Sequence, residues 1–118
     1  MVAFTGDGEL MMNGQELVTA VRYNTPMLVV LVDNEQYGTI RANQEKTYPG
    51  RVSGTQLVNP DFAEWARSMG AWAETVERNE EVPGTIERAF QKLDDGHVVL
   101  LHAKVDQDHA TPEGSAEA

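Results

Sequence analysis

The sequence predicts an α/β domain, a parallel sheet with helices on both faces. Three observations predict it. Strand-like and helix-like stretches alternate along the chain, which is the pattern of parallel strands joined by crossover helices. The runs at residues 2–5 and 27–32 are short and apolar with little alternation, as in strands covered on both faces. Each run ends in a polar turn, Gly6-Asp7-Gly8 after the first and Asp33-Asn34 after the second. In a parallel sheet those two ends share one edge, where α/β domains bind ligands.

The chain has 118 residues, enough for one domain with one core. Its apolar content of 41% is ordinary for a globular protein. A net charge of −10 argues against nucleic acid, whose phosphates call for Lys and Arg, and against an anionic membrane surface. A diphosphate bound by so acidic a chain needs a metal ion or aligned backbone N–H groups. The lack of cysteine excludes a disulfide framework and a thiolate metal site. It fits a reducing compartment, and the expected location is cytoplasmic. No apolar run approaches the roughly 20 residues of a membrane span. Residues 1–4 lack the basic start of a signal peptide.

The first strand, residues 2–5, is expected to be buried on both faces. Gly6 and Gly8 allow a tight turn and a close backbone approach to a ligand, and Asp7 between them sets a carboxylate at the strand end. Taken alone, Asp-Gly is a turn dipeptide. A helix is expected over residues 10–23, with Leu10, Gly14, Leu17 or Val18, and Val21 on one stripe. Asn24-Thr25-Pro26 ends it. The second strand, residues 27–32, is the most hydrophobic run and reads as central. It delivers Asp33 and Asn34 to the edge that carries Asp7. Two oxygen ligands side by side at a helix N-terminus suit a magnesium ion carrying a diphosphate.

Beyond it, Gly38 permits a sharp bend. Arg41 is a diphosphate partner or an exposed cation beside Glu45. Residues 42–58 read as a long irregular segment, expected to be ordered only when covered by other domains. Proteolytic resistance at Arg51 would count against that. Asn59-Pro60 is expected to cap and start a helix whose apolar face is Phe62, Ala63, Trp65, Ala66 and Met69, ending at Gly70. Residues 72–76 read as the third strand and 77–81 as a solvated loop. Residues 82–93 read as a helix with Val82, Ile86, Ala89, Phe90 and Leu93 inward, and 97–105 as the fourth strand. The tail at 106–118, small and acidic, is expected to be disordered. His97, His102 and His109 make no metal motif by their spacing, and the structural reading is preferred for them. Walker A, Gly-x-Gly-x-x-Gly and Ser-His-Asp arrangements are absent.

Gly6-Asp7-Gly8, followed after 25 residues by Asn34, resembles the signature of thiamine diphosphate-dependent enzymes. Residues 15–22 and 34–41, and Asn59-Pro60-Asp61-Phe62-Ala63, resemble the acetolactate synthase large subunit and the related 2-oxo acid decarboxylases. The resemblance covers residues 1–105. It implies the C-terminal part of the pyrophosphate-binding domain of a longer enzyme, as a piece or as a short product. It implies thiamine diphosphate and Mg2+ as cofactors, with Gly6, Asp7, Gly8, Glu9, Asn34, Gln36, Tyr37 and Gly38 around the cofactor. The implied metal ligands are the Asp7 carboxylate, the Asn34 side-chain oxygen and the Gln36 backbone carbonyl. Asp33 stands where the family often has asparagine and is expected to cap the following turn. No residue of this chain is implied as catalytic, because the family's activating glutamate lies in another domain. Glu16 is therefore read as structural or interfacial.

The implied activity is decarboxylation of a 2-oxo acid with carboligation. The alternatives are a simple benzoylformate- or pyruvate-type decarboxylase, and a non-catalytic short paralogue that associates with a full-length enzyme. The isolated chain is expected to be inactive. Its expected partners are further copies of itself or the missing domains.

Overall fold

A computed structural model describes residues 1–106. The tail expectation for 106–118, and His109, fall almost entirely outside the described residues. Four parallel strands form the sheet: β1 (Val2–Gly6), β2 (Met27–Asp33), β3 (Trp72–Val76) and β4 (Val98–Lys104), in the order β1-β2-β4-β3. Among the described residues five α-helices accompany them: α1 (Asp7–Asn13), α2 (Leu17–Arg22), α3 (Gly38–Thr47), α4 (Phe62–Ser68) and α5 (Val82–Asp94). This is the α/β architecture the sequence predicts.

Alternation along β2 and β4 divides the apolar residues between two faces. Val29, Leu31, Val98 and Leu100 pack with Leu10, Leu17, Phe62, Ala63 and Ala66 from α1, α2 and α4. Leu28, Val99 and Leu101 pack on the other side with Ala89 and Leu93 of α5. Both clusters are needed because a central parallel strand has no solvent face.

Several boundaries differ from expectation. The first helix begins at Asp7, directly on the strand end, and does not run unbroken to residue 23. A 3-10 turn over Gly14–Glu16 separates α1 from α2. The cause lies in Gly14, which is buried against the Trp65 ring: a Cβ there would stand 2.8 Å from Trp65 Cη2. The chain approaches α4 more closely than a side chain would allow, and the helix tightens at that point.

β1 is not buried on both faces. It lies at the sheet edge, paired only with β2 among the described residues, and Phe4 is 74% exposed. Val2 and Phe4 pair in register with Leu28 and Val30, on the α5 side, where α5 reaches over β2, β3 and β4. The apolar run correctly reads as a strand, but no described residue covers its Val2 and Phe4 face.

The segment 42–58 is not wholly irregular. α3 occupies its first part, with no buried residue. The sequence gives no sign of this helix because it carries no apolar stripe. Nor does Asn59 cap α4. The cap is Asp61, whose Oδ1 accepts from Glu64 N–H at 3.2 Å. On α5 the inward residues are Thr85 and Ala89, with Leu93 partly buried, while Val82, Ile86 and Phe90 are exposed. The helix is rotated from the expected face, and small side chains let it lie close on the sheet.

Candidate functional site

The C-terminal ends of β1 and β2 open into a cleft of about 570 Å³. Gly6, Asp7, Gly8, Glu9, Asn34, Gln36, Tyr37 and Gly38 all line it, so one cavity gathers every cofactor-site residue expected from sequence. Phe4, Val32 and Ile40 supply its apolar wall.

Asp7 follows β1 at the first position of α1 and is 2% exposed. Burial pushes its carboxyl up from the ordinary value, against an opposing hydrogen bond from Asn59, and the neighbouring Asp33 charge pushes it further up. Glu9 does not point inward as a free acid. Its carboxylate accepts from Gly6 N–H at 3.2 Å and from the Thr5 hydroxyl at 3.4 Å, fixing the turn.

Asn34 lies beyond β2. The two polar atoms of its amide are interchangeable in position, and one of them stands 2.9 Å from Gln36 O and 3.2 Å from Asp7 Oδ1. With nitrogen there, the amide donates to both oxygens. With oxygen there, the amide faces Gln36 O and Asp7 Oδ1 oxygen to oxygen, an arrangement that a cation among them, or a proton on Asp7, relieves. Adjacent oxygens of an octahedral magnesium shell stand about 3 Å apart. The donor set is one carboxylate, one amide and one carbonyl. Among the described residues no cluster of three His, Asp or Glu side chains is placed to hold a metal.

The loop that presents Gln36 is bent and pinned. Glu35 has φ 57°, a left-handed conformation uncommon outside glycine. Asp33 supports it: its Oδ1 accepts from Glu35 N–H at 3.0 Å, which is the turn cap expected from sequence. On its other side the loop pairs with residues 55–57. Tyr37 N–H donates to Thr55 O at 2.8 Å, and Leu57 N–H donates to Glu35 O at 2.8 Å. Arg41 neither faces solvent alone nor pairs with Glu45. Its Nη1 donates to Gln36 Oε1 at 2.8 Å. Gly38 gives room for the Asn34 amide, which lies 2.9 Å from where a Cβ would be.

Two contributors lie outside the expected site residues, one of them the His102 read as structural. Asn59 Nδ2 donates to Asp7 Oδ2 at 2.7 Å and to Asp33 Oδ1 at 2.9 Å, tying the two strand ends together. His102, on β4 beneath α4, donates from Nε2 to Asp33 Oδ2 at 2.6 Å and meets the Phe62 ring edge-on at 5.2 Å. Its Nδ1 is buried without a partner among the described residues. The Asn59 role had no local signal, because Asn-Pro before a helix reads as a cap. His102 carried one weak signal, a titratable residue inside an apolar strand.

Comparison with known proteins agrees with the fold. The family described as thiamine pyrophosphate enzyme, C-terminal TPP binding domain, matches residues 1–103. The acetolactate synthase large subunit of Buchnera aphidicola subsp. Schlechtendalia chinensis is 32% identical over 95% of this chain and 20% of its own length. The acetolactate synthase isozyme 2 large subunit of Escherichia coli K12 is 35% identical over 91% of this chain and 19% of its own. In structure, benzoylformate decarboxylase from Polynucleobacter necessarius superposes with a TM-score of 0.80 at 22% identity, over 92% of this chain and 20% of that one. The chain thus spans about a fifth of the length of these relatives. The chain belongs to the family of C-terminal thiamine pyrophosphate-binding domains of thiamine pyrophosphate enzymes.

Proposed function

We propose that this chain is the magnesium- and diphosphate-holding part of a thiamine diphosphate-dependent enzyme that decarboxylates 2-oxo acids and joins the product to a second carbonyl, as an acetolactate synthase does. The observation that carries the reading is the convergence of Asp7 Oδ1, the Asn34 amide and Gln36 O at separations of 2.9 and 3.2 Å. One ionised carboxylate and two neutral oxygens leave room on an octahedral ion for diphosphate and water. The acetolactate synthase names of the curated relatives favour carboligation over simple decarboxylation.

The bound cofactor supplies the nucleophilic carbon and the electron sink for cleaving the 2-oxo acid. This chain's residues supply positioning and charge. Asp7, Asn34 and Gln36 hold the ion, and the ion offsets the charge of the diphosphate in an acidic protein. Gly8, Tyr37 and Gly38 shape the cleft wall along it. Asp33 and Asn59 keep the ligands in register, and the Thr55–Leu57 segment keeps the Gln36 carbonyl turned inward. Among the described residues no side chain in the cleft is a free general base, so the proton steps belong to residues outside it. The functional unit on this reading is an assembly with the missing domains or with other copies of the chain.

The test is thiamine diphosphate titration with and without magnesium. Binding is expected only with the cation, and Asp7→Ala is expected to abolish it. Unchanged affinity in Asp7→Ala would overturn the metal assignment. The isolated chain is expected to release no carbon dioxide from pyruvate, and measurable release would overturn this division of labour.

A further inference from the structure

Asp7 has two carboxylate oxygens, and they face different partners. Oδ1 is turned to the Asn34 amide at 3.2 Å, on the ligand side. Oδ2 accepts from Asn59 Nδ2 at 2.7 Å. The second hydrogen of the same Nδ2 goes to Asp33 Oδ1 at 2.9 Å. Asn59 is therefore held by two acceptors and has no freedom to turn away. Asp33 is held in turn, by Glu35 N–H on Oδ1 at 3.0 Å and by His102 on Oδ2 at 2.6 Å. The amide of a loop residue is thus anchored in a buried frame, and it occupies one oxygen of the carboxylate placed for the cation.

That occupancy has a chemical consequence. Magnesium takes six oxygens in near-ideal octahedral geometry at short distances, and one oxygen per carboxylate serves it well. Calcium takes six to eight oxygens at longer distances and readily chelates both oxygens of a carboxylate. A carboxylate with one oxygen engaged by a fixed N–H donor offers the other oxygen alone.

We propose that Asn59 is a specificity-determining positioning residue: by engaging Asp7 Oδ2 it confines Asp7 to one-oxygen ligation and so favours magnesium over calcium. The proposal rests on the reading of Asp7, Asn34 and Gln36 as metal ligands. It assigns to Asn59 a selective role, distinct from merely supporting the loop.

The experiment uses the 118-residue chain, stripped of divalent ions, at a fixed concentration of thiamine diphosphate. Mg2+ and Ca2+ are titrated separately by calorimetry, and the quantity read is the ratio of the two dissociation constants. The wild type is expected to bind Mg2+ more tightly than Ca2+. Asn59→Ala is expected to shift the ratio toward Ca2+ by about tenfold, mainly through tighter Ca2+ binding as Asp7 gains a second free oxygen. Circular dichroism checks the fold. Asn59→Ser, whose short hydroxyl cannot span both carboxylates, serves if the alanine variant unfolds. Equal weakening of both cations, leaving the ratio unchanged, overturns the proposal and reduces Asn59 to a structural residue. A wild type that binds Ca2+ as tightly as Mg2+ overturns it without any variant. A wild type that binds neither cation overturns the metal reading itself, and the proposal with it.

Discussion

His102 Nε2 lies 2.6 Å from Asp33 Oδ2, and both side chains are 2% exposed. The contact crosses from β4 to the end of β2, the two central strands of the sheet. Asp33 Oδ1 is separately engaged by Asn59 and Glu35, which leaves Oδ2 to His102. His102→Ala would take away the donor of a buried carboxylate oxygen and open a gap beside Phe62. The expected loss is about 3 kcal/mol in urea unfolding, as for broken buried pairs in general. A loss below about 1 kcal/mol, the size of an ordinary hydrogen bond, would show that Asn59 and Glu35 suffice to hold Asp33.

Asp7 illustrates a conflict between stability and binding. Burial, followed by the charge of Asp33, raises its carboxyl above the ordinary 3.8 despite the Asn59 bond. In the metal-free chain the folded state therefore holds this proton more tightly than the unfolded state. Between the ordinary value and the raised one the folded state binds more protons, and stability falls as pH rises through that window. Above the raised value the cost is constant. Asp7→Asn removes it while keeping an oxygen for Asn59. The metal-free variant is expected to be more stable than wild type at pH 7 and to lose Mg2+-dependent thiamine diphosphate binding. Thermal melts with and without Mg2+ measure both. In the wild type, Mg2+ affinity is expected to fall as pH is lowered through the raised Asp7 value, because a metal needs the ionised carboxylate.

The strand at 27–32 is legible in the sequence because a short apolar run between turn residues is too brief for a helix and too apolar for a loop. Asp7 and Asn34 are legible because each follows such a run closely, and parallel strands bring their ends together. Asn59 is not. Its partners lie 52 and 26 positions away, and nothing in Asn-Pro distinguishes a long-range bridge from a helix cap. α3 escapes because it packs no apolar stripe. The face of α5 is misjudged because Thr85 and Ala89, not Ile86 and Phe90, meet the sheet. Hydrophobic periodicity reads burial within one chain, and it misassigns a face when large apolar residues stay uncovered.

Gly14 sits where α1 gives way to α2, and the space of its missing side chain is filled by Trp65. A Cβ would meet Trp65 Cη2 at 2.8 Å, Trp65 Cζ3 at 2.9 Å and Leu10 Cδ1 at 3.0 Å. Alanine would ordinarily help a helical backbone by up to about 1 kcal/mol over glycine. Here overpacking opposes that gain at a cost of about 1–3 kcal/mol. Gly14→Ala is expected to be net destabilising by about 1 kcal/mol, with a changed tryptophan emission. A stabilised Gly14→Ala would mean that Trp65 moves aside freely.

Gly8 meets a different neighbour, at the cleft itself. A Cβ there would lie 2.4 Å from Tyr37 Cε1 and 2.9 Å from Tyr37 Cδ1. No real contact is that short, so Gly8→Ala must displace the ring. The Tyr37 ring is a side-chain end, and it lines the open cleft, so it can swing without disturbing the core. Stability is therefore expected to stay within about 1 kcal/mol of wild type. Mg2+-dependent thiamine diphosphate binding is expected to fall at least about tenfold, because the displaced ring enters the volume assigned to the diphosphate. The Tyr37→Ala background separates this cause from a direct effect of the methyl group. If the collision is responsible, Gly8→Ala costs little binding once the ring is gone, and the two changes are strongly non-additive. If the two losses simply add, the methyl group itself blocks the ligand, and Gly8 is required for close approach of the diphosphate to the backbone, not for the placement of Tyr37.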